Sequence, residues 1–312
     1  MRALITGILG QDGSYMAELL YKKGYEVFGI VKENTSQERI EKLIKLVPSA
    51  NIQRLNSFNK LHLEGYITAV DPDYIYNFAG ESDVFKPFQD LDKTLDLNSR
   101  LPQNILTIIE KFNKNIRFFN ASSCLIFGKD NSGLQNEETA SNPIHPYGIS
   151  KLYANHIVEA FRERGIYACS GIFFNHESER RGNNFFSKKI VNAIKEIIKG
   201  DRAFIPVGNL TSLRDYGYAP DYMEAVYLMM HNTKPTDYVI GTGKTISMQQ
   251  FVEKAFAFHG LDYKRYIEVD MNLYRGNDTN VLRADITKIT NDLGWKPTHN
   301  IDDIIIKMNG VI

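Results

Sequence analysis

The sequence predicts an α/β protein with a doubly wound parallel sheet and a smaller C-terminal substrate-binding lobe. Short apolar runs alternate with longer amphipathic stretches through the first half of the chain, a pattern typical of a parallel sheet covered by helices on both faces. A glycine-rich turn joins the first predicted strand to the first predicted helix. After about Asn175 this alternation gives way to shorter elements and to turns that contain glycine, asparagine and proline.

Within the first half, the apolar runs predict strands and the stretches between them predict helices. The expected strands are residues 3–5, 27–31, 52–55, 74–76, 117–120 and 168–174. The expected helices include residues 14–23, 37–46, 94–112 and 147–164. Because crossovers between parallel strands are right-handed, the pattern predicts a Rossmann-type domain over residues 1–174. A substrate lobe is expected over residues 175–312, with some of its segments returning to the first domain.

Charge and cysteine content exclude several function classes. The 312 residues include 37 Lys plus Arg and 37 Asp plus Glu, so no net field recruits nucleic acid or an acidic membrane. Cys124 and Cys169 both lie in apolar runs, and their spacing suggests neither a zinc site nor a disulfide framework. No apolar run approaches the roughly 18 residues needed to span a bilayer. With no signal peptide ahead of the first strand, we expect a cytoplasmic protein that binds no metal.

A glycine-rich loop follows the first predicted strand and opens the first helix. It reads Gly7-Ile8-Leu9-Gly10-Gln11-Asp12-Gly13, and glycines at such a turn let the backbone approach a pyrophosphate at the helix N-terminus. We therefore expect a dinucleotide to bind at Gly7, Gly10, Gln11, Asp12 and Gly13. The alternative is an ordinary glycine turn, which the position at the first β–α connection disfavours. The G-x-x-G-x-x-G spacing resembles the glycine motif of extended short-chain dehydrogenase/reductases.

The end of the second predicted strand carries Lys32 and Glu33, where the adenosine ribose of a dinucleotide usually lies. A carboxylate accepts hydrogen bonds from a free ribose 2′-hydroxyl and repels a 2′-phosphate, which favours NAD over NADP. In the alternative interpretation, Glu33 is a solvated charge beside a phosphate-binding Lys32. Asn56 and Ser57 follow the third strand, and we expect them to face the adenine.

Tyr147 and Lys151 form a Y-x-x-x-K pair at the start of a predicted helix. Four residues apart, the two side chains lie on one helical face, where the lysine ammonium favours the tyrosine phenolate. A phenolate can take the proton of a substrate alcohol while the alcohol carbon gives a hydride to the cofactor. Ser122 or Ser123, at the end of the preceding strand, would hydrogen-bond the reacting oxygen. The order of glycine loop, serine strand end and Tyr–Lys helix distinguishes this pair from a chance occurrence.

Several long blocks together resemble the GDP-mannose 4,6-dehydratase family, nearly from end to end. The N-terminal block is ALITGILGQDGSYMAELLYKKGYEVFGIV, and the segment at the fourth strand is PDYIYNFAGES. The later blocks are FFNHESERRG, GNLTSLRDYGYAPDYMEA, VIGTGKTISMQQFVEKAF and LGWKP. The resemblance implies an extended short-chain dehydrogenase/reductase fold that acts on GDP-hexoses, with Ser123 as the hydroxyl that binds the reacting oxygen.

The resemblance also assigns residues to the nucleotide-sugar. By position, the substrate is expected to contact Asn175, Lys189, Arg214, Arg275 and Asp278, although the LYRGND segment around Arg275 departs from the family pattern. Arginine forks and a lysine would offset the diphosphate charge locally in this neutral protein. His176 is expected to be a structural or substrate-positioning residue, because no second metal ligand is spaced with it.

Departures from the family pattern change the expected reaction. The family's strand end carries threonine and then glutamate, and the aligned residues here are Ser123 and Leu125. Leucine cannot exchange a proton, whereas the lost glutamate is the family's second acid/base for eliminating water. Cys124 and Glu81 are possible replacements, but neither occupies the aligned position. Lys32 and Glu33 also stand where the family tends to have two arginines suited to NADP.

We therefore expect an NAD-dependent dehydrogenase that oxidises a GDP-linked sugar, of the GDP-mannose or GDP-manno-heptose type, at C4 without dehydration. Asp83 and Pro87 replace a histidine and a serine typical of the family, which leaves the identity of the sugar open. The alternatives are a 4,6-dehydratase with a relocated acid, a 4-reductase or 4-epimerase, and a non-enzymatic nucleotide sensor. A homodimer is also expected, through the apolar faces of helices 94–112 and 147–164, although such faces are equally compatible with a core.

Overall fold

The computed structural model describes residues 1–82, 90–128, 133–273 and 281–310. Within these ranges the first six strands are β1 (Arg2–Thr6), β2 (Glu26–Lys32), β3 (Asn51–Leu55), β4 (Tyr74–Asn77), β5 (Arg117–Ser123) and β6 (Ala168–Phe173). The later strands are β7 (Asn175–Glu177), β8 (Ile205–Val207), β9 (Leu213–Tyr218), β10 (Tyr238–Ile240), β11 (Thr245–Ser247), β12 (Ile267–Val269) and β13 (Val281–Leu282).

Seven of the described strands form one parallel sheet in the order β10-β6-β5-β4-β1-β2-β3. Strands β2 and β3 lie on one side of β1 in the sheet, and β4, β5 and β6 lie on the other side. This order confirms the predicted doubly wound, Rossmann-type sheet. Its central strands are short and apolar, as in the RALIT of β1, because both of their faces are covered.

Helices cover the two faces of this sheet. In chain order the described helices are α1 (Gln11–Lys22), α2 (Gln37–Leu46), α3 (Lys60–Val70), α4 (Leu91–Leu95), α5 (Leu101–Phe112), α6 (Pro146–Glu163), α7 (Phe186–Lys199), α8 (Ala219–His231), α9 (Met248–Ala257), α10 (Thr287–Leu293) and α11 (Ile301–Met308). One apolar core joins α1, α2 and α8 to the sheet. A second core joins α3, α5 and α6 to the opposite face. Within the described residues, no helix is both long enough and apolar enough to cross a membrane.

The predicted helix at residues 94–112 is interrupted. Helix α4 ends at Leu95, a π-helical turn occupies Asp96–Arg100, and α5 continues from Leu101. Proline at position 102 has no backbone N–H and therefore cannot donate the α-helical bond to the carbonyl of Asn98. Periodicity alone does not reveal such a turn, because the apolar face continues through it.

A second group of strands and helices forms a smaller lobe, which the sequence predicts to bind the substrate. Strand β9 pairs with β7, β11 and β13, and β8 pairs with β12. Helices α7, α9 and α11 pack with these strands around a separate apolar core. Helix α8 and strand β10 instead pack with the large sheet, although both follow residue 175 in the sequence. The division at residues 174 and 175 stays a prediction.

The carboxyl ends of the central strands meet at one edge of the large sheet, which positions the candidate site. Buried polar side chains join three of these strands there. Thr6 Oγ1 donates to Asn77 Oδ1 at 2.6 Å, and Asn77 Nδ2 donates to Asn120 Oδ1 at 3.0 Å. Because buried polar groups require partners, these bonds tie the ends of β1 and β4 to the middle of β5.

Candidate active site

The glycine loop has a backbone that larger residues would disrupt. Gly7 has a φ of +70°, and a Cβ there would lie 2.7 Å from the backbone nitrogen of Ala79. A Cβ on Gly13 would lie 2.3 Å from the Gly7 carbonyl oxygen. Gly10 caps α1 without any side-chain hydrogen bond to the first turn. The first N–H groups of α1 are thus left to an external acceptor, as a pyrophosphate site requires.

The side chains of Gln11 and Asp12 point toward the substrate lobe. Asp12 Oδ1 lies 2.9 Å from His176 Nε2, and Gln11 Nε2 donates to the His176 carbonyl at 3.1 Å. Ser178 Oγ donates to Gln11 Oε1 at 2.7 Å. A cofactor contact by Gln11 and Asp12 would therefore be made by their backbone N–H groups.

The predicted adenosine site is a cavity of about 470 Å³ at the ends of β2 and β3. Lys32, Glu33, Asn56 and Ser57 all line it, together with Asn34, Leu55 and Phe58. These predicted residues come together because the carboxyl ends of adjacent parallel strands lie at the same sheet edge. Arg54 was not predicted, yet its Nη1 donates to the carbonyls of Glu33 and Thr35 at 2.7 and 2.6 Å and shapes the rim.

The predicted catalytic residues form one buried cluster at the ends of β5 and α6. Lys151 Nζ donates to the Ala121 carbonyl at 2.7 Å and lies 5.8 Å from the centre of the Tyr147 ring. The Ser123 hydroxyl lies beside the Tyr147 hydroxyl. Helix α6 can approach this closely because Gly148 has no side chain: a Cβ there would lie 2.6 Å from the Leu125 carbonyl oxygen.

Burial shifts the acidities of the two catalytic groups in opposite directions. It raises the pKa of Tyr147 to about 12, against the opposing hydrogen bond from Ser123. It lowers the pKa of Lys151 to about 8, against the attraction of the Asp12 carboxylate. In each case burial disfavours the charged form. The cluster thus holds a tyrosine and a lysine whose pKa values lie far apart, at about 12 and about 8, whereas the ordinary values of 10.0 and 10.5 are nearly equal.

Asn98 belongs to the same cluster and was not predicted. Its Nδ2 donates to Ser150 Oγ at 3.1 Å and to the Glu81 carbonyl at 3.1 Å, and its Oδ1 accepts from the Glu81 N–H at 2.9 Å. A Cβ on Gly80 would lie 2.7 Å from Asn98 Oδ1 and 3.4 Å from Lys151 Nζ. The only sequence signal was a polar residue inside a helix with a strongly apolar face.

The position of the family's glutamate is apolar in this chain. The Leu125 N–H donates to Ser123 Oγ at 3.3 Å, and its half-buried side chain packs against an apolar cluster that includes Phe127, Ile172 and Phe174. Cys124 is only 4% exposed, and burial raises the pKa of its thiol to about 12. The thiol therefore stays protonated at neutral pH and cannot act as a base there.

The predicted substrate residues are partly brought together. Asn175 begins β7 and is the register partner of Tyr216 in β9, the strand that carries Arg214. The Arg214 side chain is buried and Nη1 donates to the Leu213 carbonyl at 2.9 Å. Lys189 is exposed in the first turn of α7. Arg275 and Asp278 lie outside the described residues, as do Asp83 and Pro87.

Comparison with known proteins gives the same assignment as the fold. The sheet order, the glycine loop and the buried Tyr147–Lys151 pair define an extended short-chain dehydrogenase/reductase. The family model described as GDP-mannose 4,6 dehydratase matches residues 4–308. This chain belongs to the GDP-mannose 4,6-dehydratase family, which confirms the resemblance found in the sequence.

Individual relatives span almost the whole chain. It is 38% identical to GDP-mannose 4,6 dehydratase of Homo sapiens, over 98% of this chain and 90% of the relative. It is 35% identical to GDP-mannose 4,6 dehydratase 1 of Arabidopsis thaliana, over 98% and 88%. Among solved structures, dTDP-glucose 4,6-dehydratase from Bacillus anthracis in complex with NAD has a TM-score of 0.86, at 20% identity and with 99% and 96% of the chains covered. UDP-glucose 4-epimerase from Thermotoga maritima with UDP-glucose has a TM-score of 0.87, at 21% identity and with 100% and 98% covered.

Proposed function

We propose that this protein oxidises a GDP-linked sugar at C4, with NAD as the oxidant and without loss of water. The observation that carries the proposal is the contrast within one site. Ser123, Tyr147 and Lys151 form a complete set for oxidising an alcohol, and the adjacent position is Leu125, which cannot exchange a proton. Hydride transfer needs the first set, whereas elimination also needs the missing acid/base.

The chain's own residues account for the proton of the oxidation. Ser123 Oγ donates to the C4 oxygen of the sugar and holds it near the Tyr147 hydroxyl. The Tyr147 phenolate takes the hydroxyl proton as the C4–O bond becomes a carbonyl, and the positive charge of Lys151 stabilises that phenolate. NAD, when bound, supplies the acceptor for the hydride that leaves C4.

The loop and the cavity support a bound dinucleotide, and Glu33 favours NAD over NADP. The glycine loop leaves room that any Cβ would fill, and the cavity at β2 and β3 has the size and place of an adenosine site. Glu33 lines that cavity, and its carboxylate would repel a 2′-phosphate. The related dTDP-glucose 4,6-dehydratase was solved with NAD.

The proposed substrate is a nucleoside diphosphate linked to mannose or a manno-heptose. The human and Arabidopsis relatives are named for GDP-mannose. Asn175, Lys189, Arg214, Arg275 and Asp278 are the proposed contacts, of which Arg214 and Lys189 would offset the diphosphate charge.

Loss of the elimination base has a consequence for the cofactor. A dehydratase returns its hydride to C6 of the same sugar, so its cofactor ends the cycle oxidised. Without elimination no such acceptor forms on the sugar. NADH must therefore leave the protein or be reoxidised by another compound before the next turnover.

A 4,6-dehydratase with a relocated acid is the second candidate, favoured by the names of the relatives and by Glu81. The Glu81 backbone is bonded to Asn98, beside the Gly80 position that approaches Lys151 Nζ. A carboxylate there would be near the catalytic cluster, although it is not aligned with the family's glutamate.

Deuterium incorporation distinguishes the two candidates. The protein is incubated with NAD and GDP-mannose, and separately with GDP-manno-heptose, in heavy water. The proposal predicts that NADH absorbance accumulates with one of the sugars and that C5 acquires no deuterium above the level of the isolated 4-keto product. Enzyme-dependent deuterium at C5 without accumulation of NADH would instead establish the dehydratase.

A further inference from the structure

The first turn of α1 is hydrogen-bonded to the segment that opens the substrate lobe. Asp12 bonds His176, and Gln11 bonds both the His176 carbonyl and the Ser178 hydroxyl, at 2.7–3.1 Å. The two partners of each bond are 164 or more positions apart in the sequence. We call these four residues, Gln11, Asp12, His176 and Ser178, the latch. Its bonds cross from the dinucleotide-binding half of the molecule to β7.

Both ring nitrogens of His176 are hydrogen-bonded. Nδ1 lies 2.8 Å from the Phe174 carbonyl, which can only accept, so Nδ1 carries a hydrogen. Burial opposes ionisation of Asp12, but the charges of His176 and Arg181 hold the pKa of that carboxyl below its ordinary value. The bond at Nε2 thus ties Asp12 to a ring that is also held at its other nitrogen.

Aromatic packing fixes the imidazole in this orientation. His176 is 7% exposed, with its ring centre 5.1 Å from that of Phe173 and 4.8 Å from that of Tyr222. The ring cannot turn away from Asp12 without disturbing both neighbours. A shift of β7 must therefore move Asp12 or break the bond.

Arg180 continues the connection along α1. It forms an ion pair with Glu18, and its Nη1 donates to Ser14 Oγ at 3.1 Å. Its guanidinium also lies 3.9 Å from the centre of the Tyr15 ring. These contacts lie further along the same helix, so α1 and the segment that follows β7 are held together over about two turns.

The latch lies directly between the two proposed ligand sites. Asp12 belongs to the turn whose backbone N–H groups face the pyrophosphate site, and His176 immediately follows Asn175, the proposed contact of the nucleotide-sugar. Strand β7 also pairs with β9, which carries Arg214. One hydrogen bond thus separates a residue of the cofactor loop from a residue next to the substrate contact.

We propose that the Asp12–His176 bond couples the two sites. A bound nucleoside diphosphate then strengthens dinucleotide binding, and a bound dinucleotide strengthens nucleoside diphosphate binding. His176 is then a positioning residue. A ligand at either site orders both halves of the latch, and the second ligand loses less conformational entropy on binding. The inference rests on the proposed function, because it takes NAD and a GDP-sugar as the two ligands. Thermodynamic linkage requires the coupling factor to be equal in both directions.

Calorimetric titration tests the coupling without any turnover. NAD is titrated into the full-length chain, stripped of copurified nucleotide, with and without saturating GDP, and GDP is titrated with and without NAD. We expect each ligand to lower the Kd of the other by about 5- to 150-fold, the usual range of coupling. In Asp12→Ala and His176→Phe the ratio of the Kd values without and with the other ligand should be close to one, because each substitution removes the Asp12–His176 bond. His176→Phe keeps the packing of the ring.

A conservative variant separates the hydrogen bond from a merely structural effect. In Asp12→Asn the amide can donate to Nε2 of a neutral His176, so most of the coupling should return. His259→Phe is the matched control: this half-buried histidine bonds Asn309 at 2.9 Å, away from both sites, and its ratio should equal that of the unchanged protein. If His176→Phe or Asp12→Ala does not fold, Ser178→Ala removes the bond to Gln11 and the bond from the Arg180 N–H, keeps the Asp12–His176 bond, and should give an intermediate ratio of Kd values.

The outcomes distinguish this inference from the proposed function. The latch alone would be overturned if its variants and the unchanged protein gave equal ratios of Kd values. It would also be overturned if the two ligands bound independently to the unchanged protein. Loss of coupling in Asp12→Asn as complete as in Asp12→Ala would also overturn it. Failure of the unchanged protein to bind either GDP or NAD would remove the proposed function together with the latch.

Discussion

The proposed oxidation needs Tyr147 without its proton and Lys151 with its proton. Burial favours the neutral phenol and the neutral amine, with pKa values of about 12 and about 8. The reactive arrangement is the reverse, a phenolate beside an ammonium, and it is a minor species in the ligand-free protein. The pKa of Lys151 therefore limits how far raising the pH can increase the reactive form.

The pH dependence of the oxidation follows from these two values. Below about pH 8 Lys151 stays charged, and kcat/KM should rise about tenfold per pH unit as the phenolate fraction grows. Above pH 8 each gain in phenolate is cancelled by loss of the ammonium, so the profile should level until the Tyr147 pKa of about 12. The rate of NADH formation at limiting NAD and sugar gives kcat/KM, whose pH dependence reports the pKa values of the free enzyme.

Lys151→Arg is the matched variant for this profile. Arginine keeps its charge throughout the accessible pH range, so the rise should continue beyond pH 8 instead of levelling there. A profile that is already level between neutral pH and pH 8 in the unchanged protein would show that Lys151 does not control the reactive form.

The proposed function attributes the loss of elimination to Leu125, so substitution of this residue should restore that step. Leu125→Glu is expected to release a product lighter by one water, since an acid/base is worth about 10²–10⁴-fold in rate. Leu125→Gln has nearly the same shape and cannot exchange a proton, so it should not eliminate water. Mass analysis of the products measures both. Elimination by the glutamine variant, or by neither variant, would contradict this role for position 125.

The glycine loop determines how closely α1 approaches β1, and therefore the cofactor site. Gly13→Ala would place a methyl group 2.3 Å from the Gly7 carbonyl oxygen. We expect a loss of about 1–3 kcal/mol in the free energy of unfolding, as in overpacked cores, and at least about tenfold weaker NAD binding because the loop must shift. Urea denaturation and NAD titration measure the two effects.

Gly65→Ala is the control for Gly13→Ala. Gly65 lies inside α3 with no atom within 4 Å of its added Cβ, so alanine should stabilise the protein by about 0.5–1 kcal/mol. NAD binding should not change. Equal effects of the two substitutions on NAD affinity would mean that close packing of the loop is not what shapes the cofactor site.

The strands and most of the candidate site could be predicted because their signals are local. An apolar run predicts a buried strand, and the ends of consecutive parallel strands necessarily lie at one edge, which brings Lys32 and Glu33 to Asn56 and Ser57. The π-helical turn could not be predicted, since Pro102 is also compatible with an ordinary helix start. The roles of Arg275 and Asp278 stay predictions.

The partners of Gln11 and Asp12 could not be predicted from the sequence. The glycine loop indicates a pyrophosphate site whatever its side chains contact, and nothing near Asp12 indicates a partner 164 positions away. His176 was expected to be structural or to position the substrate, but only the folded chain brings it to Asp12. Contacts between distant segments depend on the topology of the whole molecule.

An exposed apolar face on α6 supports the predicted homodimer. Ile149 is 52% exposed there, and Tyr153, on the same helix, donates to Gln103 of α5 at 2.8 Å. We propose that this face pairs with its copy in a second chain. Ile149→Arg should therefore convert a dimer to a monomer in sedimentation equilibrium.

Ile198→Arg is the control for the dimer prediction, because Ile198 is 54% exposed on α7 in the other lobe. This variant should remain a dimer. A monomeric unchanged protein, or an Ile149→Arg variant that still dimerises, would contradict the proposed interface.

The mass of the product tests the central claim most directly, because it reports the complete reaction of the folded protein. The chain is incubated with NAD and either GDP-mannose or GDP-manno-heptose, and the sugar nucleotide is analysed by mass spectrometry as NADH is measured. A site with Tyr147 and Lys151 but with Leu125 in place of an acid/base predicts a product lighter by two hydrogen atoms, formed in equal amount with NADH. A product lighter by one water, with no net NADH, would contradict it.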